Sequence, residues 1–254
     1  MAAEETSRES DPNDASQIEG LLMRTSIRPS LAVALLALLG TSAALGAQER
    51  VPSPYRFIDT NQELGIFVSQ MEADRGRFSL GPGPGLAYGV RYSIKLGTTP
   101  LAFESTGFGL PTNRRLVDPS RPEGERTVGT VDSFILGADI RLRFSVTGPR
   151  TWRNLNPYVS LGLGAAGDLR SPGDDIPVRA EDEFQFGPAF MAVGSSGVRW
   201  LPFDRLGFRG ELGLNLWRLG SPTGFVEFED ALGPVSESEW VAVPNFGVAL
   251  MYRF

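Results

Sequence analysis

Trp240-Val-Ala-Val-Pro-Asn-Phe-Gly-Val-Ala-Leu-Met-Tyr-Arg-Phe254 closes the chain with one unbroken period-two pattern. Trp240, Ala242, Pro244, Phe246, Val248, Leu250, Tyr252 and Phe254 share one parity. Val241, Asn245, Gly247, Met251 and Arg253 share the other. Side chains of a strand point alternately to its two faces, so a repeat of two argues for an extended strand with one apolar and one mixed face.

The same repeat recurs upstream. Leu86, Tyr88, Val90, Tyr92, Ile94 and Leu96 oppose Ala87, Gly89, Arg91, Ser93 and Lys95; Phe134, Leu136, Ala138, Ile140, Leu142 and Phe144 oppose Ser133, Gly137, Asp139, Arg141 and Arg143. Leu206, Phe208, Leu212, Leu214 and Leu216 oppose Gly207, Arg209, Glu211, Gly213 and Asn215. Less regular strands are expected near 63–71, 100–110, 156–167 and 184–200, which makes eight. No interval carries a 3.6-residue apolar pattern long enough for a core helix.

The connections alternate in length. Segments 72–83, 111–129, 170–183 and 219–239 are long, polar and rich in Pro, Gly, Asp and Glu, whereas 97–99, 146–155 and 201–205 are short. This alternation suits a barrel with long loops at one rim and tight turns at the other. In lipid every backbone donor and acceptor must pair, so a spanning sheet has to close on itself. Leu, Val, Ile, Phe and Tyr would then face hydrocarbon, and Gly, Ser, Arg, Asp and Glu would line a polar lumen. A soluble eight-stranded barrel would invert this, placing the bulky face inside. Leu and Phe at nearly every position of one face would overfill so narrow an interior, and the membrane arrangement follows.

The N-terminal part is of another kind. Met23-Arg-Thr-Ser-Ile-Arg28 is a basic lead, Leu31–Leu39 an apolar run, and Ala43, Ala44, Gly46 and Ala47 supply small residues for cleavage. Residues 23–47 thus form a signal peptide, too short in its apolar run to span a bilayer, and imply passage through the Sec translocon. Residues 1–22 carry six acids and one base. They do not belong to such a signal and suggest that translation starts at Met23. The expected organisation is a polar extension at 1–22, the signal peptide at 23–47, a lead-in at 48–62 and the barrel at 63–254.

Composition narrows function by exclusion. The 254 residues contain no cysteine and no histidine. Thiol chemistry is thereby absent, and the commonest general base and metal ligand near neutral pH is missing. No catalytic, cofactor-binding or metal residue is assigned. The net charge is −6 and no basic stripe suits nucleic acid. Gly162-Leu-Gly164-Ala-Ala-Gly167 matches G-x-G-x-x-G, but the following Asp168-Leu-Arg-Ser-Pro172 cannot start the helix that a dinucleotide site needs. These residues read as small side chains in a crowded lumen.

The polar set with most content is the charges of inward parity. Arg91, Glu104, Asp139, Arg141, Arg209 and Glu211 are expected at mid-depth, with Lys95, Arg143, Arg199 and Arg253 nearer the short-turn rim. Charges in so narrow an interior must pair. Acidic residues also collect in two long loops, at Asp174, Asp175, Glu181, Asp182 and Glu183 and at Glu227, Glu229, Asp230, Glu237 and Glu239.

The run Phe246-Gly-Val-Ala-Leu-Met-Tyr-Arg-Phe254 resembles the terminal strand of bacterial outer-membrane β-barrels, which end in an aromatic residue preceded by apolar residues at alternate positions. With eight strands, residues 55–254 are similar to the small barrels of the OmpA/OmpX type. The resemblance implies an all-β, antiparallel, up-and-down transmembrane barrel in the Gram-negative outer membrane. It also implies that Phe246, Val248, Leu250, Tyr252 and Phe254 are read by the barrel-assembly machinery. The expected surroundings are outer-membrane lipid and lipopolysaccharide, around a monomer. The expected role is structural or surface-interacting and non-catalytic, with a small passive or gated pore as the alternative.

Overall fold

The structure, a computed structural model, describes residues 53–169 and 178–254. The extension at 1–22, the signal peptide at 23–47 and the first residues of the lead-in fall outside the described residues.

Ten strands follow one another: β1 Tyr55–Phe57, β2 Gln62–Met71, β3 Gly85–Lys95, β4 Leu101–Val117, β5 Thr127–Ser145, β6 Arg150–Trp152, β7 Leu155–Asp168, β8 Ala189–Trp200, β9 Leu206–Gly220 and β10 Ser238–Arg253. Eight of them form the barrel, each antiparallel to the next, in the order β2-β3-β4-β5-β7-β8-β9-β10. The seam is β10 against β2, running from Arg253↔Glu63 to Asn245↔Met71, and it leaves no free edge. A closed sheet satisfies its own backbone, the condition for crossing hydrocarbon.

The apolar parity faces outward. Leu64, Ile66, Val68, Leu86, Tyr88, Val90, Ile140, Leu142, Leu161, Leu163, Leu212 and Leu214 are all exposed, Leu161 at 74%. Soluble monomers rarely leave so continuous an apolar belt in water, and such a belt marks a membrane-facing surface.

Two features depart from the periodicity. First, β4 and β5 pair from Leu101↔Phe144 up to Val117↔Thr127, so most of the connection expected at 111–129 is strand and only 118–126 is loop. The hairpin rises beyond the belt here, where Thr112, Asn113, Arg114 and Arg115 replace the apolar face. The outer face meets water here while Arg114, Leu116 and Val117 stay buried on the inner one, so the simple hydrophobic alternation disappears although the ladder continues. Second, β8 starts at Ala189 rather than near 184, because Phe184 and Phe186 are loop residues buried over the barrel mouth. The last long connection holds a 3-10 turn, Thr223–Phe228, and a single helical turn, Glu229–Leu232, which ends at Gly233 with φ 72°.

At the opposite end the lead-in makes β1, which pairs with β6 through Tyr55↔Trp152 and Phe57↔Arg150. β6 turns into β7 through Arg153 and Asn154, both left-handed (φ 50° and 66°), the conformation of a two-residue primed hairpin turn.

Candidate functional site: a two-storey barrel interior

Inward parity places charge in the half of the barrel nearer the short turns. Glu211 on β9 is the hub. Arg91 on β3 grips it with two N–H···O contacts of 3.0 and 3.1 Å, and Arg141 on β5 adds one of 3.1 Å. Tyr158 on β7 donates its hydroxyl to the same carboxylate at 2.7 Å. Arg209, two residues before Glu211 on β9, also pairs with it. Arg209 then bridges to Glu104 on β4 at 2.8 and 3.2 Å, while Arg141 holds Asp139 at 2.5 and 2.9 Å. All six charges expected at mid-depth therefore sit in one connected network.

Arg143 and Arg199, expected nearer the rim, join this network, and Glu63 and Tyr158 are members outside the expected set. Arg143 donates to Glu104 at 2.6 Å and to Glu63 at 3.4 Å. Arg199 pairs with Glu63 and donates to Asn156 at 3.0 Å. Glu63 and Tyr158 both stand at the inward parity of their strands, a signal visible in the sequence. Tyr158 carries no charge to mark it in the sequence, yet its ring also receives the guanidinium of Arg209, 4.2 Å from the centroid. Lys95 and Arg253 lie at the rim, where each donates to a backbone carbonyl, of Ile58 and Phe203 respectively.

Small residues make room for these large ones. A Cβ on Gly162 would come within 2.2 Å of the Ile140 carbonyl and 2.7 Å of the Arg141 side chain. At Gly164 it would meet the Ala138 carbonyl at 2.3 Å and Asp139 at 2.7 Å. The G-x-G spacing is thus the imprint of two charged neighbours lying across the strand.

The other half is mainly apolar, with Arg114 as its buried charge, donating to the Phe184 carbonyl and paired with Asp168 and Glu183, and this corrects the expectation of a polar lumen throughout. Phe108 and Leu110 on β4, Ile135 on β5, Met191 and Val193 on β8, Trp217 and Leu219 on β9, and Val241 and Val243 on β10 point inward and are buried. Leu80, Phe184, Phe186, Phe225 and Leu232 from the long loops pack onto them as one cluster. Phe186 lies 5.6 Å from Trp217, and Phe225 meets Phe78 edge-on at 5.4 Å. The signal was present where both parities are apolar, as in Val241-Ala-Val243 and Leu216-Trp-Arg-Leu219. The loops are therefore a lid continuous with the core.

Two small cavities lie inside the barrel among the described residues. A cavity of about 20 Å³ lies between the storeys, against Phe67, Ser69, Phe108, Arg91, Arg141 and Asn215. A second of about 20 Å³ lies at the short-turn end. Each has room for about a water molecule.

The loop acids are mostly engaged. Asp182 and Glu227 pair with Arg179, and Glu239 accepts the backbone N–H of Arg77. Among the described residues no group of three or more acidic side chains is placed to hold a metal ion; Asp174 and Asp175 fall outside those residues. Phe246, Val248, Leu250, Tyr252 and Phe254 all point outward into the belt, and Tyr252 stacks on Phe254 at 6.1 Å.

Closed antiparallel pairing, an even strand number, an apolar belt and long loops at one rim define a small transmembrane β-barrel of the bacterial outer membrane. Solved structures of similar fold include Neisserial surface protein A, 11% identical with a TM-score of 0.48, covering 76% of this chain and 97% of that one. The outer membrane protein OprG from Pseudomonas aeruginosa is 13% identical with a TM-score of 0.48, over 77% and 96% of the two chains. The N-terminal β-barrel domain of Pseudomonas aeruginosa OprF is 14% identical with a TM-score of 0.40, over 77% and 100%. No protein-family profile and no curated protein sequence matches the chain.

Proposed function

We propose that this protein is a closed structural barrel that spans the outer membrane without conducting or catalysing and works through the surface of its long loops. The observation that carries the reading is the filled interior. An ionic storey and an apolar storey lie in series, and the cavities described beside them are of about 20 Å³ each. The absence of histidine and cysteine supports a non-catalytic role, as does the engagement of every carboxylate in the ionic storey by guanidinium groups. The aromatic and aliphatic row ending at Phe254 supports recognition by the barrel-assembly machinery during insertion. The belt suits lipid and, at the long-loop rim, lipopolysaccharide around a single copy.

Planar-bilayer recording tests the reading. The purified barrel is expected to give no stepwise conductance, with or without the Phe225→Ala substitution in the lid. Reproducible unitary steps from the wild type would replace it with a pore. A Phe254→Ala chain is expected to accumulate unfolded in the periplasm, measured by outer-membrane fractionation with a heat-modifiability gel.

A further inference from the structure

The lower cavity differs from the upper one in what its walls lack. Around the upper cavity, Arg91, Arg141 and Arg209 direct Nε and terminal N–H groups at Glu211, Asp139, Glu104, Thr106 or Tyr158. The buried atoms without a partner there are Ser69 Oγ and Asn215 Oδ1, which a water molecule would satisfy. The lower cavity is lined by Thr60, Glu63, Ser93, Lys95, Arg143 and Arg199, among others. Here the buried atoms without a partner are the Nε groups of Arg143 and Arg199 and the Oγ1 of Thr60. All three can donate, and the two guanidiniums belong to side chains only 4% and 2% exposed.

The charge balance has the same sense. The connected network contains five guanidiniums, Arg91, Arg141, Arg143, Arg199 and Arg209, against four carboxylates, Glu63, Glu104, Asp139 and Glu211. One positive charge is left over in a poorly hydrated interior, where an uncompensated charge is costly. At the cavity itself Lys95 adds another, and Glu63 is the single acid in the lining. A water molecule could accept from the free N–H groups but could not cancel the surplus.

We propose that the lower cavity is a binding site for one small monovalent anion of halide size, held by Nε of Arg143 and Arg199 and the Thr60 hydroxyl, with Lys95 supplying charge from the rim. The volume of about 20 Å³ suits a monatomic ion and leaves no room for a nucleotide or a sugar phosphate. The ion completes the ionic storey and locks Glu63, Arg143 and Arg199 across three barrel walls. This site is independent of whether the barrel conducts.

The test uses the folded barrel in micelles and its crystals grown with sodium bromide as the salt. An anomalous bromide peak bounded by Arg143, Arg199 and Thr60 is expected. So is a ³⁵Cl NMR line broadening that saturates with chloride and is competed away by bromide. The melting temperature should rise by about 2–4 °C when gluconate is replaced by chloride at constant ionic strength. Lys95→Met and Thr60→Val leave the network's ion pairs in place and should each weaken the chloride effect several-fold. A cavity holding only water, bromide found only at the surface, or a chloride response unchanged in both variants would overturn the proposal.

Discussion

The two halves of the barrel interior solve one packing problem by opposite means. Strand β9 passes through both. It contributes Arg209 and Glu211 to the ionic storey and, at the same parity, Trp217 and Leu219 to the apolar one. The ionic half is assembled from strand residues alone, because directional N–H···O contacts need donors and acceptors held on a rigid wall. The apolar half is completed by Phe184, Phe186, Phe225 and Leu232 from connections, because apolar packing has no directional demand and tolerates partners delivered by loops. The lower storey therefore specifies how the strands stand around the lumen. The upper one anchors the loops to the barrel.

The comparison breaks most directly at Glu104, fully buried between Arg143 and Arg209. Glu104→Ala leaves two guanidiniums short of a partner and is expected to cost about 3–5 kcal/mol, read from urea unfolding in lipid vesicles by tryptophan fluorescence. Phe225→Ala removes a lid ring at 0% exposure and should cost about 3–4 kcal/mol. The two lesions should separate by location. Limited proteolysis ought to cut the loops of the Phe225 variant at native conditions and spare those of the Glu104 variant; equal cleavage would mean that the storeys are one cooperative unit. Gly162→Ala tests the lower storey by crowding, since its Cβ would meet the Ile140 carbonyl and Arg141, and about 1–3 kcal/mol of destabilisation is expected in the same assay.

The smallest effect should come from the loop of the β4–β5 hairpin, outside both storeys. Hydrogen bonds from Ser120, with desolvation opposing them and Arg121 assisting, hold the Asp118 carboxyl below its ordinary 3.8. A depressed folded value means the contribution is present above the unfolded value and is lost as pH falls through the folded one. NMR titration of the loop should therefore show the 118–121 turn loosening only below the usual aspartate range, with the lumen network unchanged. Movement of both together would join the loop to the ionic storey.

Much of this was legible in the residues. Strand number, the outward belt and the six mid-depth charges follow from a period of two and from the alternation of long and short connections. Period two shows which residues share a face, but depth along the barrel decides whether that face meets a charge or an aromatic ring. Glu63 and Tyr158 were legible by parity and were hidden because one stands in an irregular strand and the other is uncharged. The polar top of the β4–β5 hairpin was hidden for another reason. Outside lipid the outward face turns polar while the inward face buries Arg114 beside Leu116, and the hydrophobic signal vanishes while the hydrogen-bond ladder persists.

The sequence by itself determined an all-β chain with an apolar row ending at Phe254, because side-chain alternation is a local property of extended backbone. Only the tertiary structure decided which charges meet, that the upper lumen is mainly apolar, and that loop side chains pack onto it. Those contacts join residues as distant as Glu63 and Arg199, and their pairing depends on the register of a sheet that closes on itself.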